Sequence, residues 1–259
     1  MIHPLTNIHP EAKIAPNVEI GPFVTIDKNV EIGTGTKIFS NVTVFEGARI
    51  GKNCQLFPGA VISAIPQDLK FKGEDTTVQI GDNNIIRECA TIHRGTASKG
   101  ITIIGNNCLI MAYSHIAHDC VLGNHIILGN ATQLAGEVHI DDWAVLAGSV
   151  LVHQFCSIGS HVMVQGGTRF SKDIPPFIIV GREPASYGGL NIVGLRRKNF
   201  SPEQIDVIHQ AYRFIYQSGL NNTDALQKIE EELPATRERD MILSFVKNSE
   251  RGIIKGYKE

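Results

Sequence analysis

Residues 104–128, IGNNCLIMAYSHIAHDCVLGNHIIL, decide the fold. Ile104, Ile110, Ile116, Leu122 and Leu128 recur every six residues, which is neither the period of 2 of a strand nor the 3.6 of a helix. Followed outward, the same register runs from Ile8 to Phe170 and is broken only at Asp68, Glu74 and Ser98. Four residues after each large side chain comes a smaller one, as at Val18, Val42, Cys108, Cys120 and Val162. Glycine often follows the large residue directly, as at Gly33, Gly51, Gly81, Gly105 and Gly123. A large inward side chain, a small inward one and a turn-compatible glycine in each hexad predict one short strand and one corner. Three hexads close a triangular coil, and stacked coils pair as parallel strands about 4.8 Å apart. The repeat therefore predicts a parallel β-helix.

The composition agrees with that reading. The 259 residues include 25 glycines and only 7% aromatics, so bulky core residues give way to something more regular. A chain that is 42% hydrophobic and 19% charged, with a net charge of −2, is neither a disordered tail nor a basic protein that coats nucleic acid. The N-terminus lacks a charged leader followed by an apolar run, and no stretch approaches ~18 uninterrupted apolar residues. The expectation is a cytoplasmic protein with no integral membrane segment and no nucleic-acid partner. The five cysteines form no CxxC pair, which predicts reduced thiols rather than disulfides or a zinc site. Four of them, Cys54, Cys108, Cys120 and Cys156, fall in the small inward slot.

Two segments, 63–77 and 97–102, leave the repeat and read as loops projecting from corners, where long loops are usually functional. After Phe170 the period ends and Asp173-Ile-Pro-Pro-Phe177 reads as extended chain. The expected domains are a β-helix over 1–175, a linker over 176–190 and an α-helical C-terminal domain over 191–259. In the last, Ser201-Pro-Glu-Gln204 is a capping box whose helix stops at Ser218-Gly219, and further helices are expected over 224–232 and 236–248.

Regular coils turn spacing into geometry, because residues 18 apart stack on one edge. His118, Gly136 and Gln154 form such a column, with His153 beside it. An imidazole over a bare glycine backbone over an amide offers a general base, an open N–H for an oxyanion and a polar orienter, which suits acyl transfer. Gly148 and Gly166 form a second column on another edge, where glycine either relieves a corner or keeps a groove open. A single corner histidine is more often a solvated surface residue than a catalyst, so the neighbouring strings decide.

Those strings are Gln67-Asp-Leu-Lys70, Ile92-His-Arg-Gly-Thr96, Ser114-His-Ile-Ala-His-Asp-Cys120, Val152-His-Gln-Phe-Cys156 and Asn191-Ile-Val-Gly-Leu-Arg-Arg197. With them the chain, over essentially its whole length, resembles the acyl-carrier-protein-dependent UDP-N-acetylglucosamine O-acyltransferases that open lipid A biosynthesis, within the hexapeptide-repeat acyltransferases. The resemblance implies left-handed coils, against the usual right-handed rule for parallel crossovers. The fold class is then mainly β: a left-handed parallel β-helix of hexapeptide repeats with a small α-helical C-terminal domain.

The resemblance further implies transfer of an R-3-hydroxyacyl chain from acyl carrier protein to the glucosamine 3-position of UDP-N-acetylglucosamine. His118 becomes the general base, Gly136 the oxyanion donor and Asp119 the partner of the histidine. Adjacent strand side chains point apart, so spacing alone does not supply that last pairing. Asp68, Lys70, His115, His153, Gln154, Asn191 and Arg197 fall around the sugar nucleotide. Gly166 becomes an acyl-length ruler left open for a long chain. No metal and no bound cofactor are implied, since the donor carries its phosphopantetheine on the carrier protein. A homotrimer with its sites between subunits is implied too, and Arg169, Lys172, Arg196, Arg197 and Lys198 supply a basic patch for an acidic carrier. Two positions depart from the family: Glu137 stands where better-known members carry a second histidine, and Val193 where they carry a glutamate near the nucleotide. The chemistry agrees with the assignment, because a sugar hydroxyl needs its proton removed as it attacks, and an imidazole of pKa about 6.5 suits that task. Other readings are the same transfer to a 3-amino sugar, a zinc carbonic anhydrase using His93, His115 and His118, and a purely structural solenoid that would not need the charged loop at Gln67 to Lys70.

Overall fold

The computed structural model describes residues 1–256; residues 257–259 of the expected C-terminal domain lie outside the described residues. The repeat folds as a left-handed parallel β-helix. Successive short strands, beginning with Asn7–Ile8, Lys13–Ile14 and Glu19–Ile20, go in turn to a first, a second and a third sheet of nine, eight and eleven strands. Each hexad sends its large residue into the prism, where Ile26, Ile62, Ile92, Ile116, Leu134 and Ile158 are buried. His115 pairs with Gln133, Gln133 with Leu151 and Leu151 with Arg169, one coil apart each time. Across the two loops Val61 pairs with Thr91 and Thr91 with His115, so the loops insert two hexads and one hexad respectively. The phase of the large slot survives both.

The glycines after the large residues serve a different purpose from the one expected. Their φ is not positive. A Cβ on Gly33 would stand 2.6 Å from the carbonyl carbon of Gly51, and one on Gly105 would stand 2.5 Å from the carbonyl oxygen of Gly123. These glycines let one coil's backbone rest on the next. The turn comes three residues after the large one, at Asn17, Asn29, Asn41, Asn53, Asn83 and Asn107, all with φ between 52° and 60°. Asparagine tolerates that left-handed conformation better than most residues.

Cys54, Cys108, Cys120 and Cys156 are buried in the small slots, and Cys89 is exposed. Burial pushes the Cys108 and Cys156 thiols up to about 11 and that of Cys120 to about 12, so these cysteines are packing groups.

Residues 176–190 are not a linker. Ile178–Gly181 pairs in parallel with the coil above it and antiparallel with Ser186–Leu190, which also takes the strand Lys255–Gly256. The repeat does not stop at Phe170 but shortens, since Val164 pairs with Val180, two residues short of a full coil. Asp173, expected in extended chain, is buried; its carboxylate accepts the Ser157 N–H at 2.8 Å and the Ser249 hydroxyl at 2.6 Å.

Among the described residues four helices follow: α1 (Ile192–Arg197), α2 (Pro202–Gln217), α3 (Asn222–Glu232) and α4 (Arg237–Asn248). The capping box at Ser201 and Gln204 is formed. The helices bury Ile208, Tyr212, Ile229 and Ile242 in a core continuous with that of the prism, and the Tyr212 hydroxyl donates to the Pro176 carbonyl. Among the described residues no helix is long and apolar enough to cross a membrane.

Candidate active site

The corner that leads from the first sheet to the second carries the candidate chemistry. His118 follows the strand His115–Ile116, and Asp119 turns the corner with φ 61°. That left-handed turn defeats the alternation of an extended strand, so the two side chains converge and His118 Nδ1 lies 2.8 Å from Asp119 Oδ2. The carboxylate is completely buried. It accepts the Thr96 N–H at 3.0 and 3.1 Å and the Thr96 hydroxyl at 2.6 Å, while its own backbone N–H donates to the Thr102 hydroxyl at 2.8 Å. A carboxylate accepting from Nδ1 fixes the proton there, which leaves Nε2 as the lone-pair nitrogen. Nε2 has no hydrogen-bond partner among the described residues.

Gly136 lies directly under that imidazole. A Cβ there would stand 2.5 Å from His118 Cε1 and 2.7 Å from Nε2. The Gly136 carbonyl accepts from Phe155 and the Glu137 N–H donates to the His118 carbonyl, yet the Gly136 N–H has no acceptor among the described residues. His118 and Gln154 on the same edge share that free N–H; what sets position 136 apart from them is the missing side chain. His153 and Gln154 are exposed on the next coil of the same edge.

His115 and His93 complete the cluster above. Their rings meet edge to face at 4.6 Å, and His115 Nδ1 bonds the Thr91 hydroxyl at 2.7 Å. Burial, helped by the charge of His118, holds His115 below its ordinary range. Burial first, then His115 and His118, pushes His93 down to about 4. Both imidazoles are therefore neutral at neutral pH. For the zinc reading this geometry is unfavourable: His118 Nδ1 is taken by Asp119, and among the described residues no three His, Cys, Asp or Glu side chains are placed to hold a metal ion.

The loop over 63–77 rises from this edge. Asp68 closes a turn in it by accepting the Lys70 N–H at 2.9 Å, with Lys70 itself exposed. Phe71 folds back over the Arg94 guanidinium beside His93.

The remaining candidates lie elsewhere on the chain. Asn191 caps α1, its amide oxygen accepting from Gly194 at 3.1 Å and its amide nitrogen donating to the His161 carbonyl at 2.9 Å. His161 belongs to the corner between the second and third sheets, where Arg197 is exposed at the end of α1. Gly166 stands on the third edge, between the third and first sheets. All five cations of the basic patch are exposed, but Arg169 pairs with Glu183, Lys172 bonds the Arg251 carbonyl and Lys198 covers Trp143, so Arg196 and Arg197 are the two without a side-chain partner among the described residues. Of the departures, Val193 is exposed and Glu137 bonds Ser98. Nothing in the spacing pattern assigns a role to Ser98, Thr96 or Thr102. The string Ile92–Thr96 pointed to the neighbourhood, but a contact made across an inserted hexad leaves no trace in an 18-residue spacing.

A triangular parallel β-helix with a His–Asp pair over a bare corner glycine defines an acyltransferase of the hexapeptide-repeat class. Comparisons with known proteins narrow this. A family model described as Bacterial transferase hexapeptide (six repeats) matches residues 101–136, one described as Udp N-acetylglucosamine O-acyltransferase; Domain 2 matches 173–254, and one described as GMPPB C-terminal domain matches 2–64. A curated acyl-[acyl-carrier-protein]–UDP-N-acetylglucosamine O-acyltransferase from Pseudomonas syringae pv. tomato is 48% identical over 189 residues, 73% of each chain. The crystal structure of LpxA, a UDP-N-acetylglucosamine acyltransferase from Bacteroides fragilis, superposes with a TM-score of 0.98 at 62% identity, covering 98% of this chain and 100% of that one. LpxA from Acinetobacter baumannii gives 0.96 at 42% identity, covering 98% and 99%. The chain belongs to the acyl-[acyl-carrier-protein]–UDP-N-acetylglucosamine O-acyltransferase family.

Proposed function

We propose that this chain transfers an R-3-hydroxyacyl group from the phosphopantetheine thiol of acyl carrier protein to the 3-hydroxyl of UDP-N-acetylglucosamine, in the cytoplasm, as the first step of lipid A biosynthesis. The observation that carries the mechanism is His118: Nδ1 is tied to Asp119 and Nε2 is free above bare Gly136. Nε2 takes the hydroxyl proton as the sugar oxygen attacks the thioester carbonyl. The carbonyl oxygen becomes an oxyanion facing the Gly136 N–H. Collapse of the tetrahedral intermediate expels the thiolate, which takes the proton back from the imidazolium, leaving an ester and a thiol. Asp119 holds the ring and stabilises its charged form, as a buried carboxylate does in a catalytic triad.

The sugar-nucleotide groups Asp68, Lys70, His115, His153 and Gln154 share the edge of His118, whereas Asn191, Arg197 and Gly166 lie on other edges. A site that uses all of them needs a second copy of the chain, and the homotrimer supplies it. A Cβ at Gly166 would crowd the Gly148 carbonyl oxygen at 3.2 Å, so glycine at both positions keeps this edge bare of side chains and open. That opening supports a long acyl chain.

Mass spectrometry of the product formed from UDP-N-acetylglucosamine and a series of R-3-hydroxyacyl carrier proteins tests this. The expected product is a 3-O-ester of a long chain; an amide formed preferentially from a 3-amino sugar would reassign the acceptor. His118→Ala should lose about 10²- to 10⁴-fold in kcat, and full activity in it ends the base assignment. Gly166→Met should shift preference to shorter chains, and unchanged preference ends the ruler.

A further inference from the structure

Glu137 sits one coil below His118, and its carboxylate takes no part in the transfer outlined above. It is four-fifths buried, with Oε1 accepting the Ser98 hydroxyl at 3.1 Å and Oε2 lying 3.7 Å from Lys99 Nζ. Ser98 and Lys99 belong to the single hexad inserted at 97–102, which is otherwise exposed at its tip. The backbone N–H of the same Ser98 donates to the Thr96 hydroxyl oxygen at 3.2 Å. The Thr96 hydroxyl donates to Asp119 Oδ2 at 2.6 Å, the oxygen that receives His118 Nδ1 at 2.8 Å.

We infer that Glu137 is a positioning residue: through Ser98 and Thr96 it holds the Asp119 carboxylate, and through Asp119 it sets the angle of the His118 ring. This rests on the reading of His118 as the general base. The geometry supports it in three ways. The chain of bonds is continuous from a partly exposed carboxylate to the buried one. Apart from the Thr102 hydroxyl, which accepts the Asp119 N–H, the inserted hexad has no other side-chain hydrogen bond or ion pair to the coils below it among the described residues. Gly95 lets the insertion fold back tightly, since a Cβ there would overlap the backbone of Gly100 and Ile101. The Glu137 backbone also donates to the His118 carbonyl at 3.0 Å, so both ends of the chain are fixed to one corner. An imidazole that rocks about its Nδ1 bond reaches the attacking geometry in a smaller fraction of encounters, which lowers kcat without weakening substrate binding.

The test is steady-state kinetics of Glu137→Ala, Glu137→Gln, Ser98→Ala and the double variant Ser98→Ala/Glu137→Ala, beside His118→Ala. The donor is hydroxyacyl carrier protein and the acceptor UDP-N-acetylglucosamine. Glu137→Ala and Ser98→Ala should each lower kcat about three- to tenfold, with KM for both substrates within about twofold. Glu137→Gln, whose amide oxygen still accepts from Ser98, should recover most of the loss. The double variant should be no worse than the poorer single one, because both remove the same bond. Ser98→Ala deletes one exposed hydroxyl, so the reading survives if Glu137→Ala alone is unstable by thermal midpoint. Wild-type kcat in both single variants overturns the inference, as does additivity in the double variant. A loss in Glu137→Gln equal to that in Glu137→Ala overturns it in favour of the Lys99 ion pair, and raised KM at constant kcat overturns it in favour of direct substrate contact. Full activity in His118→Ala would instead remove the base reading underneath, so the two failures are told apart.

Discussion

A methyl group at position 136 has nowhere to go while His118 keeps its place. It would stand 2.5 Å from Cε1, 2.7 Å from Nε2 and 3.2 Å from Nδ1, all inside van der Waals contact. The ring is the softer partner, and its movement stretches the 2.8 Å bond to Asp119. Gly136→Ala should therefore fall about 100-fold in kcat with little change in thermal midpoint, since a displacement of about 1 Å in a catalytic group costs that much. A variant with wild-type kcat shows that the imidazole works from another position. This column was legible in the sequence because no insertion separates His118 from Gly136 and one coil is 18 residues. The bond between His118 and Asp119 was legible only through the family resemblance and not through spacing, because alternation along a strand gives the wrong answer at a residue with φ 61°. Thr96 was hidden for a different reason: it reaches Asp119 across an inserted hexad that no periodicity describes.

At the scale of elements, the corner glycines measure how tightly the coils stack. Gly105 is bounded by backbone, with the Gly123 carbonyl oxygen 2.5 Å and its carbon 2.7 Å from a would-be Cβ. Backbone locked in a parallel ladder cannot give way as a flexible side chain can. Gly105→Ala should cost about 1–3 kcal/mol, seen as a drop in Tm of roughly 2–10 °C. Gly148→Ala, whose Cβ meets the Asn130 carbonyl oxygen at 3.2 Å, should cost less, and equal losses in the two would remove the stacking argument. Hexads and helix caps were both legible because each is written in local chemistry: the large slot in periodic burial, and α2 in the reciprocal bonds of Ser201 and Gln204. The last coil was missed because it is two residues short, which throws Val180 out of the register that ends at Phe170. A linker was expected where the chain in fact adds a final coil and a hairpin.

At the scale of the whole molecule, the outer face of the third sheet is unlike the other two. Its outward residues begin as Glu19, Lys37 and Gln55 and then become Ile85, Leu109, Ile127, Val145, Met163 and Ile179. The outer face of the first sheet over comparable coils reads Thr91, His115, Gln133, Leu151 and Arg169, far more polar. A contiguous apolar stripe of that length on a rigid sheet marks an interface. The stripe runs alongside the coils that carry His118 and Gly136, which is where a neighbouring copy must lie if Asn191, Arg197 and Gly166 are to join them. Ile127→Glu places a carboxylate in the middle of the stripe, with no cation among its outward neighbours Leu109 and Val145. Burying it unpaired costs several kcal/mol, about 3–5 by analogy with a broken buried ion pair. The expected outcome is a folded monomer in sedimentation, with unchanged β-sheet circular dichroism. Its transfer activity should be reduced by more than about 100-fold, because the His118 edge is left without the groups a second copy contributes. A monomer with full activity shows that one chain holds a complete site, and a trimer that tolerates the carboxylate shows that the copies meet on another face.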